Sequence, residues 1–150
     1  MQQPDYSSIS KSIFLFIKGD VSVNDKDREL VARDTSLFYL KPEIVVYPKD
    51  KEDISNLLKF VSDEKRKGLD VSVAFRAAGT CMTGGPLSQS IVVDTTKYMN
   101  HITDITEVSA TAEPGVFYRD FEKETLKKGW LMPSYPASRE LAAIGGIVSN

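Results

Sequence analysis

Two stretches of small residues constrain this chain more than any other feature. The first runs from Arg76 to Gly85 as Arg-Ala-Ala-Gly-Thr-Cys-Met-Thr-Gly-Gly, and the second from Ser138 to Gly146 as Ser-Arg-Glu-Leu-Ala-Ala-Ile-Gly-Gly. Each withdraws bulky side chains from backbone that must turn tightly or lie close to a neighbour, and each sets a Ser or Thr hydroxyl beside that bare backbone. Exposed N–H groups in such a setting are anion binders. A strand-and-helix unit separates the two stretches, so the fold has to bring two loops to one anion. A pyrophosphate, and so a dinucleotide, is the ligand that such a pair suits.

The segments between the loops alternate in type. Ser7 to Lys18 carries helical periodicity, Asp20 to Asn24 reads as a break, and Asp25 to Arg33 as a short charged helix. Glu43 to Tyr47 is a β-branched strand between prolines. Lys49 to Lys67 follows as an amphipathic helix with Ile54, Leu57, Leu58 and Val61 on its inner face, ended by Gly68. Val71 to Phe75 is a second strand feeding the first loop, and strand-helix-strand order predicts that these two strands pair in parallel. Ile91 to Asp94 is a third strand. Tyr98 to Thr106 leads into an alternating antiparallel strand, Glu107 to Glu113, and Pro114-Gly115 turns the chain into a helix from Val116 to Lys128. Phe117, Phe121 and Leu126 should face inward there, with Gly129 as the stop. The fold class is therefore α+β: a small parallel β/α subdomain up to about Gly79, then a mixed or antiparallel sheet flanked by helices. The first loop leaves the C-terminal end of a parallel strand, where ligands commonly bind.

At 150 residues, with 41% hydrophobic and 27% charged content, the chain can bury a core of its own. Its formal net charge of −2 offers no broad attraction for nucleic acid or anionic lipid, so an anion must be held by local geometry. A single cysteine excludes an internal disulfide and a thiolate metal cluster and fits a reducing compartment. The apolar run Ile13 to Ile17 is too short to span a bilayer and reads as buried helix, which makes the cytoplasm the expected location, with peripheral membrane association of a longer protein left open. The chain stops within the first turns of an apolar helix, as a fragment of a longer polypeptide would.

Six stretches in fixed order carry a resemblance: Pro48 to Ile54, Arg76 to Gly85, Val92 to Met99, Ala112 to Val116, Gly129 to Pro133, and Ser138 to Asn150. From about Pro42 onward the chain resembles the PCMH-type FAD-binding domain of the FAD-linked oxidase and dehydrogenase superfamily, which includes vanillyl-alcohol oxidase, D-lactate dehydrogenase and glycolate oxidase. The periodicity gives an N-terminal helical segment over 1–41, and the resemblance implies an FAD-binding domain over 42–150, C-terminally incomplete and without its substrate domain. It implies that Ala77, Ala78, Gly79, Thr80 and Cys81 wrap the FAD pyrophosphate, with Met82 and Thr83 alongside. Contacts to the phosphates and the flavin side are implied for Pro136, Ala137, Ser138, Ala142, Ala143, Ile144, Gly146 and Ser149. Covalent members carry a histidine where Thr80 stands, so non-covalent FAD is expected. The implied activity is oxidation of a 2-hydroxy acid by hydride transfer to FAD, with catalytic groups beyond Asn150 and the electron acceptor unassigned. A non-catalytic nucleotide-binding or protein-interaction module is the alternative.

The remaining chemistry-bearing residues read as structural. Arg76, at a strand end, should anchor a carboxylate of the fold, and Cys81 should be a small buried filler. His101, the one histidine, shows no partner in sequence and reads as a surface residue. Trp130 should pack in the core, while Tyr135 is open between packing and stacking on a ligand ring. With one histidine, neither a metal-ligand cluster nor a Ser-His-acid triad can be assembled.

Overall fold

Two uninterrupted β-branched runs, Ile44 to Val46 and Ile91 to Val93, are buried on both faces, as strands at the centre of a parallel sheet must be. The computed structural model describes residues 2–149. Strand β1 (Asp20–Ser22) is followed by β2 (Ile44–Tyr47), β3 (Val73–Arg76) and β4 (Ile91–Asp94), which form one sheet in the order β1-β2-β4-β3. β4 runs parallel to both β2 and β3, and β1 is antiparallel to β2. Ile44, Val46, Ile91 and Val93 point into a core shared with Ile9 and Ile13 of helix α1 (Tyr6–Phe14) and with Leu57 and Val61 of helix α3 (Lys51–Arg66). Val45 and Val92 alternate to the opposite face, where they meet Val31 just after helix α2 (Asp25–Leu30).

The expected parallel pairing of residues 43–47 with 71–75 does not occur. β4 lies between them, because the two Ile-Val-Val strands, β2 and β4, take the two inner, fully buried places and the less apolar β3 is left at the edge, and the parallel unit therefore extends to Asp94. The expected break at Asp20 to Asn24 contains β1, three residues with no apolar run whose pairing is imposed by the open edge of β2. Its end doubles as a helix start, with Asn24 Oδ1 accepting the Asp27 N–H at 2.8 Å.

The inner stripe of α3 is Asp53, Leu57 and Val61 at a spacing of four, so Leu58 is exposed and an acid takes an apolar position. The Asp53 carboxylate accepts the N–H groups of Lys18 at 2.9 Å, Gly19 at 3.1 Å and Lys49 at 2.9 Å. It thereby ties the α1–β1 connection to the start of α3. Helix α1 stops at Phe14, and Phe14 and Leu15 lie in solvent, against the expectation of a buried helix through Ile17.

A separate antiparallel hairpin of β5 (Ile102–Ile105) and β6 (Ala110–Ala112) replaces the single strand expected over 107–113. The turn is set by Thr106, whose N–H donates to Ser109 O at 2.8 Å and whose Oγ1 accepts the Ser109 N–H at 3.0 Å. Helix α4 (Tyr118–Leu126) buries Tyr118, Phe121 and Thr125, leaving Leu126 exposed and Phe117 half-buried as the cap residue, because the inward stripe runs 118, 121, 125. Gly68 and Gly129 follow α3 and α4 at positive φ, 93° and 76°, as expected of helix stops. A last helix, α5, spans Ile144–Ser149. Among the described residues no helix is long and apolar enough to cross a membrane.

Asp53→Ala leaves three backbone donors without their acceptor, and urea unfolding should show a loss of about 3 kcal/mol. Acid should loosen the β1 edge. A hydrogen bond from Lys97 first, and one from Tyr98 second, hold the Asp20 carboxyl below its ordinary range. The folded pKa is depressed, so the contribution is full above about pH 4 and disappears as pH falls through the lowered value. Asp20→Asn should flatten the fall in melting temperature on acidification below about pH 4.

Candidate functional site

The last residues of the three parallel strands, Tyr47, Arg76 and Asp94, line one cavity of about 430 Å³ together with Ala77, Ala78 and Lys97. The volume lies within the range of small-molecule sites, and the position is the carboxyl edge of the sheet. Only Arg76 and the alanines were legible here from their own loop. Tyr47, Asp94 and Lys97 carried a signal too, since the rule that places a loop at a strand's carboxyl end applies to all three strands.

The first loop departs from β3 with its N–H groups free. Among the described residues, the N–H groups from Ala77 to Met82 donate to no oxygen of the protein. Gly79 holds φ at +70°, and a Cβ there would lie 2.1 Å from Arg76 Nη2, so the loop closes over the guanidinium and an added side chain would have to displace it. Arg76 donates from Nη1 to Arg33 O at 2.7 Å, so it anchors a carbonyl and not the expected carboxylate. Burial lowers its pKa, opposed by the nearby Asp94 and Asp34 charges, and an arginine so placed stays charged. Cys81 is half-buried with Sγ 3.3 Å from Thr83 Oγ1, where the Thr83 hydroxyl and then the Thr83 and Gly85 amides lower its pKa. It is a polar loop partner instead of a buried filler. Met82 and Thr83 are exposed.

Charges of both signs line the cavity, Arg76 and Lys97 against Asp94. Asp94 Oδ1 accepts from the Thr96 N–H at 2.8 Å and the Thr96 hydroxyl at 2.6 Å, and Lys97 Nζ bonds Asp20 at 2.5 Å while sitting 4.7 Å above the Tyr47 ring. Desolvation, with the Asp27 and Asp94 charges, pushes the Tyr47 phenol up to about 12, which keeps it a neutral hydrogen-bonding group.

The second loop reaches this cavity through Phe117, which lines it and forms an isolated antiparallel bridge with Ala143. Residues 136–142 coil into successive turns, with Arg139 N–H donating to Pro136 O at 3.0 Å and Leu141 and Ala142 N–H to Ser138 O at 2.8 and 2.9 Å. Ile144 N–H donates to Val116 O at 2.8 Å, and the Ser149 hydroxyl to Gly145 O at 2.6 Å. The amides of Ala142 and Ile144 are thus committed to the fold, in contrast to those of the first loop. Ala142 and Ala143 are buried, Ile144, Pro136 and Ser138 half-buried, and Ala137, Gly146 and Ser149 exposed. Tyr135 packs against Tyr118 at 5.3 Å and under the Arg139 guanidinium at 4.9 Å. Trp130 is half in solvent and not in the core, because the chain leaves α4 at Gly129 along the surface. His101 is exposed as expected but has a partner, Glu113, whose Oε2 lies 2.7 Å from Nδ1.

Residues 42–150 match a protein-family model described as FAD binding domain. The glycolate oxidase subunit GlcD of Bacillus subtilis (strain 168) is 30% identical over 120 residues, covering 77% of this chain and 24% of that protein. The D-2-hydroxyglutarate dehydrogenase of Escherichia coli (strain K12) is 26% identical over 134 residues, covering 88% of this chain and 13% of its own length. The chain therefore spans a quarter or less of these two relatives. An alkyldihydroxyacetonephosphate synthase structure superposes with a TM-score of 0.75 at 20% identity, over 97% of this chain and 29% of the other, which shows a shared fold.

Gly79→Ala must force a side chain into a positive-φ site and push the Arg76 guanidinium off Arg33 O. A stability loss of about 2 kcal/mol by urea titration is the expected outcome.

Proposed function

The chain belongs to the FAD binding domain family, and from that premise we propose that it is the cofactor-binding part of a flavin-dependent oxidoreductase that oxidises a 2-hydroxy acid. The observation that carries the reading is the run of backbone N–H groups from Ala77 to Met82, donating to no protein oxygen among the described residues, at the carboxyl end of a parallel strand. A pyrophosphate is what such a run suits. The formal net charge of −2 gives no general field that draws an anion in, so short-range donors have to do it.

In this reading Ala77, Ala78, Gly79, Thr80 and Cys81 hold the pyrophosphate by main chain, and Met82 and Thr83 flank it. Pro136, Ala137, Ser138, Ala142, Ala143, Ile144, Gly146 and Ser149 close the site from the second loop. Because the Ala142 and Ile144 amides serve the fold, hydroxyl and apolar contacts carry more of that loop's share than its N–H groups. Thr80 offers a hydroxyl and no imidazole, which supports a non-covalent cofactor. FAD, when bound, supplies the acceptor for a hydride from the carbon bearing the substrate hydroxyl. The chain's own work is to bind and orient it. The hydroxy-acid assignment rests on the names of the relatives, a glycolate oxidase subunit and a D-2-hydroxyglutarate dehydrogenase. A cytoplasmic setting rests on the single cysteine.

Titrating the purified chain with FAD tests the reading. Saturable quenching of flavin fluorescence at one FAD per chain, competed by ADP and released intact by acid precipitation, is the expected outcome. A chain that binds neither FAD nor ADP overturns it in favour of an interaction module.

A further inference from the structure

The first loop is held from outside the family-matched residues. The segment 33–38 precedes residue 42, yet it touches the loop along its length. Arg33 O accepts from Arg76 Nη1 at 2.7 Å, and Asp34 Oδ2 accepts the Gly84 N–H at 3.0 Å. Between these ends, the Thr35 hydroxyl is shared between Thr80 O at 3.1 Å and Cys81 O at 2.9 Å, and the Thr35 N–H donates to Cys81 O at 3.1 Å. The segment is itself braced. Arg33 lies 4.6 Å from the centre of the Tyr39 ring, the Tyr39 hydroxyl donates to Glu29 at 2.8 Å, and the Leu40 N–H donates to Ala32 O at 3.0 Å.

This arrangement has a directional consequence. In a trans peptide the C=O and the following N–H point in opposite directions, and the described chain has no cis peptide bond. Drawing the carbonyls of Thr80 and Cys81 onto Thr35 therefore turns the N–H groups of Cys81 and Met82 away from the segment, and among the described residues those N–H groups donate to no protein oxygen. We infer that Thr35 is a positioning residue for cofactor binding: its hydroxyl and amide set the two peptide planes whose N–H groups face the anion. The inference rests on the FAD reading above. It makes the 33–38 segment part of the binding site, although Thr35 touches no ligand itself.

The test compares the whole 150-residue chain with Thr35→Val, which keeps the shape and removes the hydroxyl, and with Thr35→Ser, which restores it. Three readouts are needed: FAD affinity, melting temperature, and the backbone carbonyl ¹³C resonances of Thr80 and Cys81 without FAD. Thr35→Val should weaken FAD binding about tenfold and move both carbonyl resonances upfield, with a melting temperature close to that of the parent. Thr35→Ser should return both signals to parent values. Should Thr35→Val not fold, Thr35→Ala takes its place. Unmoved carbonyl resonances, or unchanged FAD affinity despite moved ones, overturn the inference alone. A parent chain that binds no FAD overturns the cofactor reading, and the inference falls with it.

Discussion

The buried carboxylate of Asp53 decides where the N-terminal third of the chain goes. Its oxygens collect three backbone N–H groups, two from the α1–β1 connection and one from the turn before α3. A buried charge is tolerated only when its hydrogen-bonding capacity is used, and here that requirement doubles as a tether. With residues 18 and 19 pinned, β1 enters the sheet against β2, and α2 follows with Val31 covering the opposite face of the sheet. The 33–38 segment then lies against the first loop.

A single chain of constraints thus runs from one acidic side chain to a set of free amides more than 20 residues away in sequence. The loop after β3 could not hold its form alone. It follows an edge strand, it contains two glycines at positive φ, and among the described residues its N–H groups from Ala77 to Met82 donate to no protein oxygen. What holds it is the set of bonds from Arg76, Thr35 and Asp34, which tie its two ends and its centre to a segment already braced by Arg33, Tyr39 and Glu29. Leaving backbone donors unsatisfied costs stability, and the compensation comes from these contacts and the packed sheet behind them.

The electrostatics of the cavity follow the same pattern. Lys97 is spent on Asp20 and the Tyr47 face, and Arg76 and Asp94 put opposite charges on the same lining, so neither sign of side-chain charge dominates. In the proposed reading, dipoles held in place by the fold are the means of recognising an anion. Such a site depends on backbone orientation more than on any one side chain, so residues that orient the loop matter as much as those within it.

Local order was legible in the sequence. Small-residue runs, β-branched strands, amphipathic helices and glycine stops are short-range properties, and β2, β3, β4, α3 and α4 lie where that patterning puts them, within a few residues. The motif order also carried the family, because loops that bring bare backbone close to a neighbour leave a signature in residue size. Long-range choices were not legible. Sequence order suggested that β2 and β3 pair, but burial gave the centre of the sheet to β4; three residues with no apolar pattern became β1 because an open edge was available; and Asp53 took a core position because three amides converge there. Thr35 carries no motif at all. Its role exists only once the fold has brought it against two carbonyls 45 and 46 residues away, since hydrogen bonds depend on spatial approach and leave no trace in local composition.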